Sequence, residues 1–219
     1  MAMDERVLQA KARWPNVPAA WGWLFLDRRG AWRLVDRGAP GFDPIRDGRG
    51  DPIRHEALID FIARNYACLD DGSWFFQNGP QRVFVDLELA PNIWRLAPQP
   101  DGVVLVAHTG EIASRVERLG VDADGVVWAQ TDLGPGAIDD RQLAALLDQV
   151  NDGDGPVEGD DPMEVGGSCD STGSAVRVRF RGHSEPLPLT PFTQSAALEF
   201  GFVRQPRQSS SMDHPGSPA

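Results

Sequence analysis

The chain has 219 residues, 41% of them hydrophobic, and a formal charge of −11, enough for a real core in one large domain or two small ones. That acidity excludes the basic stripe that nucleic acid or an anionic membrane surface requires, and no apolar run approaches the ~20 residues of a membrane helix. Two cysteines, Cys68 and Cys169, rule out a disulfide framework and a four-thiolate metal site, and the start lacks the apolar core of a secretory signal, which predicts a soluble, cytoplasmic protein.

In chain order, residues 1–13 read as an N-terminal segment outside the domain. Trp21–Leu26 and Ala31–Val35 flank Asp27-Arg-Arg-Gly30, two aromatic-rich runs around a Gly-ended turn, and predict a β-hairpin. Asp36–Gly50 reads as loop. Asp51-Pro52 then opens a predicted helix over about 54–66, with the aspartate as N-cap and the proline at the first helical position. Leu58, Phe61, Ile62 and Tyr66 form its apolar face, and Asp60 with Arg64 an i,i+4 pair on the other.

Ser73–Gln77 and Gln81–Leu89 read as strands around Asn78-Gly79-Pro80. In the second, Val83, Val85, Leu87 and Leu89 alternate against Arg82, Phe84, Asp86 and Glu88, the period of a half-buried antiparallel strand. Pro80 has no N–H, so a tight turn on Asn78-Gly79 cannot close and a longer, irregular loop is expected. Short strands follow at 93–96, 103–107, 112–116 and 126–130. A second helix is predicted over about 139–150, with Asp139 and Gln142 as capping box and Ile138 and Leu143 as staple. The half-buried strand 175–181 and the apolar Phe200, Phe202 and Val203 complete the domain.

Residues 1–96 carry thirteen basic and thirteen acidic side chains, whereas Asp148–Asp170 holds eight acids and no base among many Gly and Pro. The acidity therefore marks a mobile loop at about 151–173, not a binding face. From Arg204 a serine run and three prolines predict a disordered tail, 204–219.

Chemistry-bearing motifs are few. His55, His108, His183 and His214 have no i+3 or i+4 partner, so no metal site and no cofactor are expected. Asp152-Gly-Asp154 fails the calcium-loop template at Pro156 and Val157. Gly166-Gly-Ser168-Cys-Asp170 ends in Asp where a nucleophile elbow needs Gly. Arg49-Gly50-Asp51 is explained by Asp51 as a helix cap. Three Asp–Gly turns, each just before Trp32, Trp74 or Trp128, are too unevenly spaced for a true repeat.

The polar cluster Gln77-Asn78-Gly-Pro-Gln81-Arg82 stands out between apolar strands. Two readings are open. Gln77, Asn78, Gln81 and Arg82 can bind a carboxylate, a phosphate or a peptide backbone with directional hydrogen bonds. Alternatively, the amides bond the backbone of their own turn while Arg82 pairs with Asp86 or Glu88.

Trp14–Trp32, Asn65-Tyr66 with Trp74-Phe-Phe-Gln-Asn-Gly-Pro-Gln-Arg-Val-Phe-Val-Asp-Leu-Glu88, and the closing Phe200-Gly-Phe-Val203 resemble a group of uncharacterised proteobacterial proteins of unknown function. The resemblance spans most of Trp14–Val203. It implies a bacterial source and brings no activity with it.

The sequence thus predicts one α+β domain over 14–203, antiparallel hairpins packed by the helices at about 54–66 and 139–150. The functional expectation is a non-enzymatic binding or interaction protein using the 77–82 hairpin loop or a sheet face. The alternative is an enzyme or regulator that binds a small polar or anionic ligand through Gln77, Asn78, Gln81 and Arg82.

Overall fold

A computed structural model describes residues 3–100, 102–147 and 176–207. The fold is α+β, and the residues that the sequence groups into one domain divide into two compact units. The first comprises the residues up to Asp27, Ala31–Leu89 and those from Phe202; the second comprises Arg28–Gly30 and Ala90–Gly201. The acidic segment 151–173, its calcium-like and elbow-like motifs, residues 148–150 of the second predicted helix and the tail beyond 207 lie outside the described residues.

The first unit opens with a helix where the sequence reading has only a segment, α1 (Glu5–Arg13). It continues through β1 (Ala20–Leu26), β2 (Trp32–Leu34), β3 (Asp51–Pro52), α2 (Glu56–Arg64), β4 (Tyr66–Cys68), β5 (Trp74–Asn78) and β6 (Gln81–Leu87). These strands form one sheet in the order β3-β2-β1-β6-β5-β4, antiparallel except where β1 runs parallel to β6. The predicted hairpin is β1–β2, and the Asp27 carboxylate closes its turn by accepting from Ala31 N at 2.9 Å. Gly22, at φ +73, sits where the β1–β6 register shifts, a conformation that glycine adopts without Cβ strain.

Two readings around α2 are corrected. Asp51 is no N-cap: Asp51 and Pro52 pair with Leu34 and Arg33 as an edge strand, a place where a missing N–H costs nothing. His55 caps instead, its Nδ1 accepting from Leu58 N at 3.2 Å. Arg64 reaches Asp4 at 3.3 Å and not Asp60. The apolar face expected on α2 holds only in part: Ile62 is buried and Phe61 is edge-on to Phe76 at 5.4 Å, whereas Leu58 is 40% exposed and Tyr66 lies beyond the helix in β4. Trp32, Tyr66 and Trp74 continue that aromatic core.

The end of the chain returns to this unit. Val203 bridges to Ser73, Leu87 N donates to Arg204 O, and Arg207 reaches Asp86 at 2.8 Å. Residues 204–207 are thus held to the sheet, against the expectation of a tail disordered from Arg204.

The second unit holds β7 (Asn92–Gln99), β8 (Gly102–Ala107), β9 (Val116–Val121), β10 (Val127–Thr131), β11 (Gly134–Ile138), β12 (Arg177–Val178) and β13 (Leu187–Pro191). Their order is β12-β13-β9-β10-β11-β7-β8. The sheet curls on itself: β8 at one edge meets Phe180, just past β12 at the other, through the Val103–Phe180 bridge and Arg181 N to Val103 O at 2.9 Å. This single bridge covers part of the β8 edge. Trp94, Leu105, Leu119, Ala129, Ile138, Val178 and Phe180 fill the interior.

A 3₁₀ turn (Asp140–Gln142) leads into α3 (Leu143–Leu147); Asp139 caps the turn, accepting from Arg141 N at 3.1 Å, but the capping box expected with Gln142 is replaced, because Asp139 N donates to Trp94 O at 2.9 Å. The short α4 (Ala196–Phe200) ends at Gly201 in the left-handed region. The strand expected at 112–116 is only a bridge at Ile112, and the strand proper starts at Val116. Each Asp–Gly turn before a tryptophan joins two antiparallel neighbours, with Gly30, Gly72 and Gly125 all at positive φ.

Candidate functional site

The turn between β5 and β6 is tighter than expected. Asn78 pairs with Gln81, Gln77 with Arg82, Phe76 with Val83 and Phe75 with Phe84, an unbroken register closed by Gly79 and Pro80 alone. Moving the turn one residue on from Asn78-Gly79 puts Pro80 at a corner position that needs no N–H. Gly79, at φ +57, takes the position that requires the left-handed region. The irregular loop expected from Pro80 does not form.

Each of the four polar residues has its own environment. Asn78 is exposed at the tip. Gln81 ties the tip to the chain entering β1, its Nε2 donating to Pro18 O at 3.1 Å. Gln77 is 1% exposed and spans the turn from inside, its Nε2 donating to Gly79 O at 2.9 Å. Arg82 lies over Phe75, its guanidinium carbon 4.5 Å from the ring centroid. Residues two apart across a ladder are near enough for this when one side chain is long. Such a contact is worth about 0.5–2 kcal/mol. Phe84, opposite Phe75, is stacked by Trp21 at 5.2 Å, so an aromatic layer lies beside the guanidinium.

Both carboxylates near Arg82 in sequence are engaged elsewhere. Asp86 is held by Arg207 at 2.8 Å and Glu88 by Arg49 at 2.5 Å. Among the described residues Arg82 has no carboxylate partner, and its Nε is buried without an acceptor. On the same ladder pair, Gln77 Oε1 is buried without a donor.

Helix α1 flanks the hairpin. Asn65, fully buried at the end of α2, accepts from Asp4 N at 2.9 Å and donates to Asp4 Oδ2 at 3.2 Å and to Phe61 O at 3.0 Å. Its own carbonyl accepts from Gln77 N at 2.9 Å, which connects the start of α1 to the inner residue of the hairpin. Phe75, Trp21, Asn65, Asp4 and Arg207 were absent from the sequence reading of this site. Only contacts across the sheet bring them to it, and no local spacing announces such contacts.

The arginines around one cavity, and two perturbed groups elsewhere, are committed. A cavity of about 380 Å³ lies along residues 33–51, lined by Arg33, Arg46 and Arg49 with Leu34, Phe42 and Asp51. Its guanidinium groups serve the loop or a neighbouring carboxylate: Arg33 donates to Arg49 O and Gly50 O, Arg46 to Gly41 O and Asp47, and Arg49 to Glu88. His108 accepts from Ile93 N at 3.4 Å, and burial, helped by Arg95, pushes it down to about 3, so it is neutral at pH 7. Partial desolvation, with Asp71 and Asp70, pushes the Cys68 thiol up to about 11, which keeps it a thiol and a poor nucleophile. Among the described residues no group of three His, Cys, Asp or Glu is placed to hold a metal ion.

The family DUF2944, described as "Protein of unknown function (DUF2946)", matches residues 3–207, and the chain belongs to it. This membership agrees with the resemblance to an uncharacterised family of unknown function. No curated protein matches the chain. Two crystal structures are similar to it. One, a DUF1285 family protein from Silicibacter pomeroyi, is 17% identical with a TM-score of 0.44, over 68% of this chain and 86% of that one. The other, a DUF1285 family protein from Shewanella baltica, is 16% identical with a TM-score of 0.43, over 59% and 94%.

Proposed function

We propose that this member of the DUF2944 family is a binding protein that holds an anionic group on Arg82, at the foot of the β5–β6 hairpin. One observation carries the reading: Arg82 is kept over Phe75 while both carboxylates near it in sequence are paired with other arginines. A guanidinium is always charged and offers five donors in a fixed fork, so one without a carboxylate partner is a ready carboxylate or phosphate receptor. The charge of the whole chain does not oppose this locally, because residues 1–96 sum to zero.

The chemistry favours holding over turnover. Three primary amides and a guanidinium supply hydrogen-bond donors and acceptors but no carboxylate, imidazole or thiol to act as general acid or base, so the cluster orients a charge. Gln77 and Gln81 fix the turn through Gly79 O and Pro18 O, which leaves Arg82 on a rigid support.

Thermal unfolding in a panel of small carboxylates and phosphates tests the reading. At least one class should raise the melting temperature in a concentration-dependent way. Arg82→Met should abolish the rise, while Arg13→Met, at an exposed arginine on α1, should keep it. An equal rise in Arg82→Met would refute the assignment.

A further inference from the structure

Two atoms beside the guanidinium narrow what it can hold. Gln77 and Arg82 are directly opposed in the β5–β6 ladder, which puts their Cβ atoms about 5 Å apart on one face of the sheet. The Gln77 amide is oriented by its bond from Nε2 to Gly79 O, which leaves Oε1 as its buried atom without any partner. Arg82 Nε is its counterpart, a buried donor lacking an acceptor. Buried polar groups are nearly always paired. Here an acceptor and a donor on neighbouring side chains both lack partners.

One kind of group meets both needs at once, accepting from Arg82 while donating to Gln77. A fully ionised anion such as sulfate has acceptors only, and seated here it would set its lone pairs against those of Gln77 Oε1. Hydrogen phosphate keeps a P–OH at neutral pH. A 2-hydroxy carboxylate carries an O–H next to its charge. We propose that the site selects anions that bring their own hydrogen-bond donor and disfavours anions that only accept. A neutral glutamine suits this role, because it asks for a donor without repelling the ligand's charge. The inference rests on the anion reading above and sharpens it from charge to hydrogen-bonding pattern.

Calorimetric titration of the full chain at pH 7.5 and matched ionic strength tests it with two ligand pairs: phosphate against sulfate, and 2-hydroxypropionate against propionate. The expected preference within a pair is about tenfold, the factor supplied by one hydrogen bond of ordinary net strength. Discrimination in the phosphate pair alone assigns the ligand to phosphates, and in the carboxylate pair alone to hydroxy acids; either supports the proposal. Gln77→Met, which removes the acceptor at similar volume, should level each pair to within about twofold while binding persists. Should that variant fail to fold, the wild-type pairs decide alone. Equal affinities within both pairs would overturn this inference and leave the anion reading standing. No heat from any of the four would overturn both.

Discussion

Removing the side chain of Asn65 should release α1 from the sheet that carries the hairpin. Asn65→Ala deletes one bond to Asp4 N, one to the Asp4 carboxylate and one to Phe61 O. Neutral hydrogen bonds contribute about 1 kcal/mol net and charged ones about 1.5–3 kcal/mol, so a rigid structure would lose about 4 kcal/mol. Relaxation lowers this, because a freed α1 rehydrates Asp4, and about 2–3 kcal/mol is expected from urea unfolding. Asp4→Ala removes the same carboxylate and its exposed contact with Arg64, worth at most about 1 kcal/mol. Because the two residues share a bond, the double variant should cost about 1 kcal/mol less than the sum of the singles. Hydrogen exchange should then show α1 amides opening well below the global free energy in Asn65→Ala. A loss under about 0.5 kcal/mol, or strict additivity with Asp4→Ala, would refute this account of how α1 is anchored.

Gly136→Ala should destabilise the second unit by several kcal/mol, since a Cβ there would lie 2.3 Å from Trp94 Nε1 and 2.5 Å from Asn92 O; a calorimetric melt close to wild type would contradict that packing. Acid should weaken the second unit through Asp139. Arg141 holds the Asp139 carboxyl at about 2, below its ordinary 3.8, so its stabilisation is present above pH ~4 and lost as pH falls through about 2. Asp139→Asn should flatten stability across that window, and an unchanged acid limb would count against it. Arg82→Met should change the urea midpoint by less than the equivalent of about 1 kcal/mol, because losing the contact with Phe75 is offset by removing a buried, unpaired N–H. A large loss would make Arg82 a structural anchor.

What was legible in the sequence was what local chemistry determines. The β1–β2 hairpin followed from its Asp–Gly turn, β6 as a strand from its period-2 pattern, and the buried Ile62 of α2 from helical spacing. Leu58 on that helix and Phe84 on the polar side of β6 went against it, one exposed and the other buried. Asp51-Pro52 misled because Asp-Pro suits an edge strand as well as a helix start, and only pairing with Leu34 decides between them. Pro80 misled in a similar way: the missing N–H was rightly noted, but it displaces the turn by one residue where an irregular loop was expected. The second unit's closure rests on Val103 meeting Phe180 across more than seventy residues, which no period reveals. At the candidate site the four polar residues were found by their density. The isolation of Arg82 was not, because it depends on Arg49 and Arg207 having taken the nearby carboxylates.

The most direct measurement is the Arg82 Nε–H resonance during a phosphate titration at constant ionic strength, assigned by its loss in Arg82→Met. The account predicts a saturable shift of that signal while those of Arg33 and Arg49, held by backbone carbonyls and by Glu88, stay in place. An Arg82 signal that does not move, or that moves only in step with the other two, would contradict the assignment of an anion site to the β5–β6 hairpin.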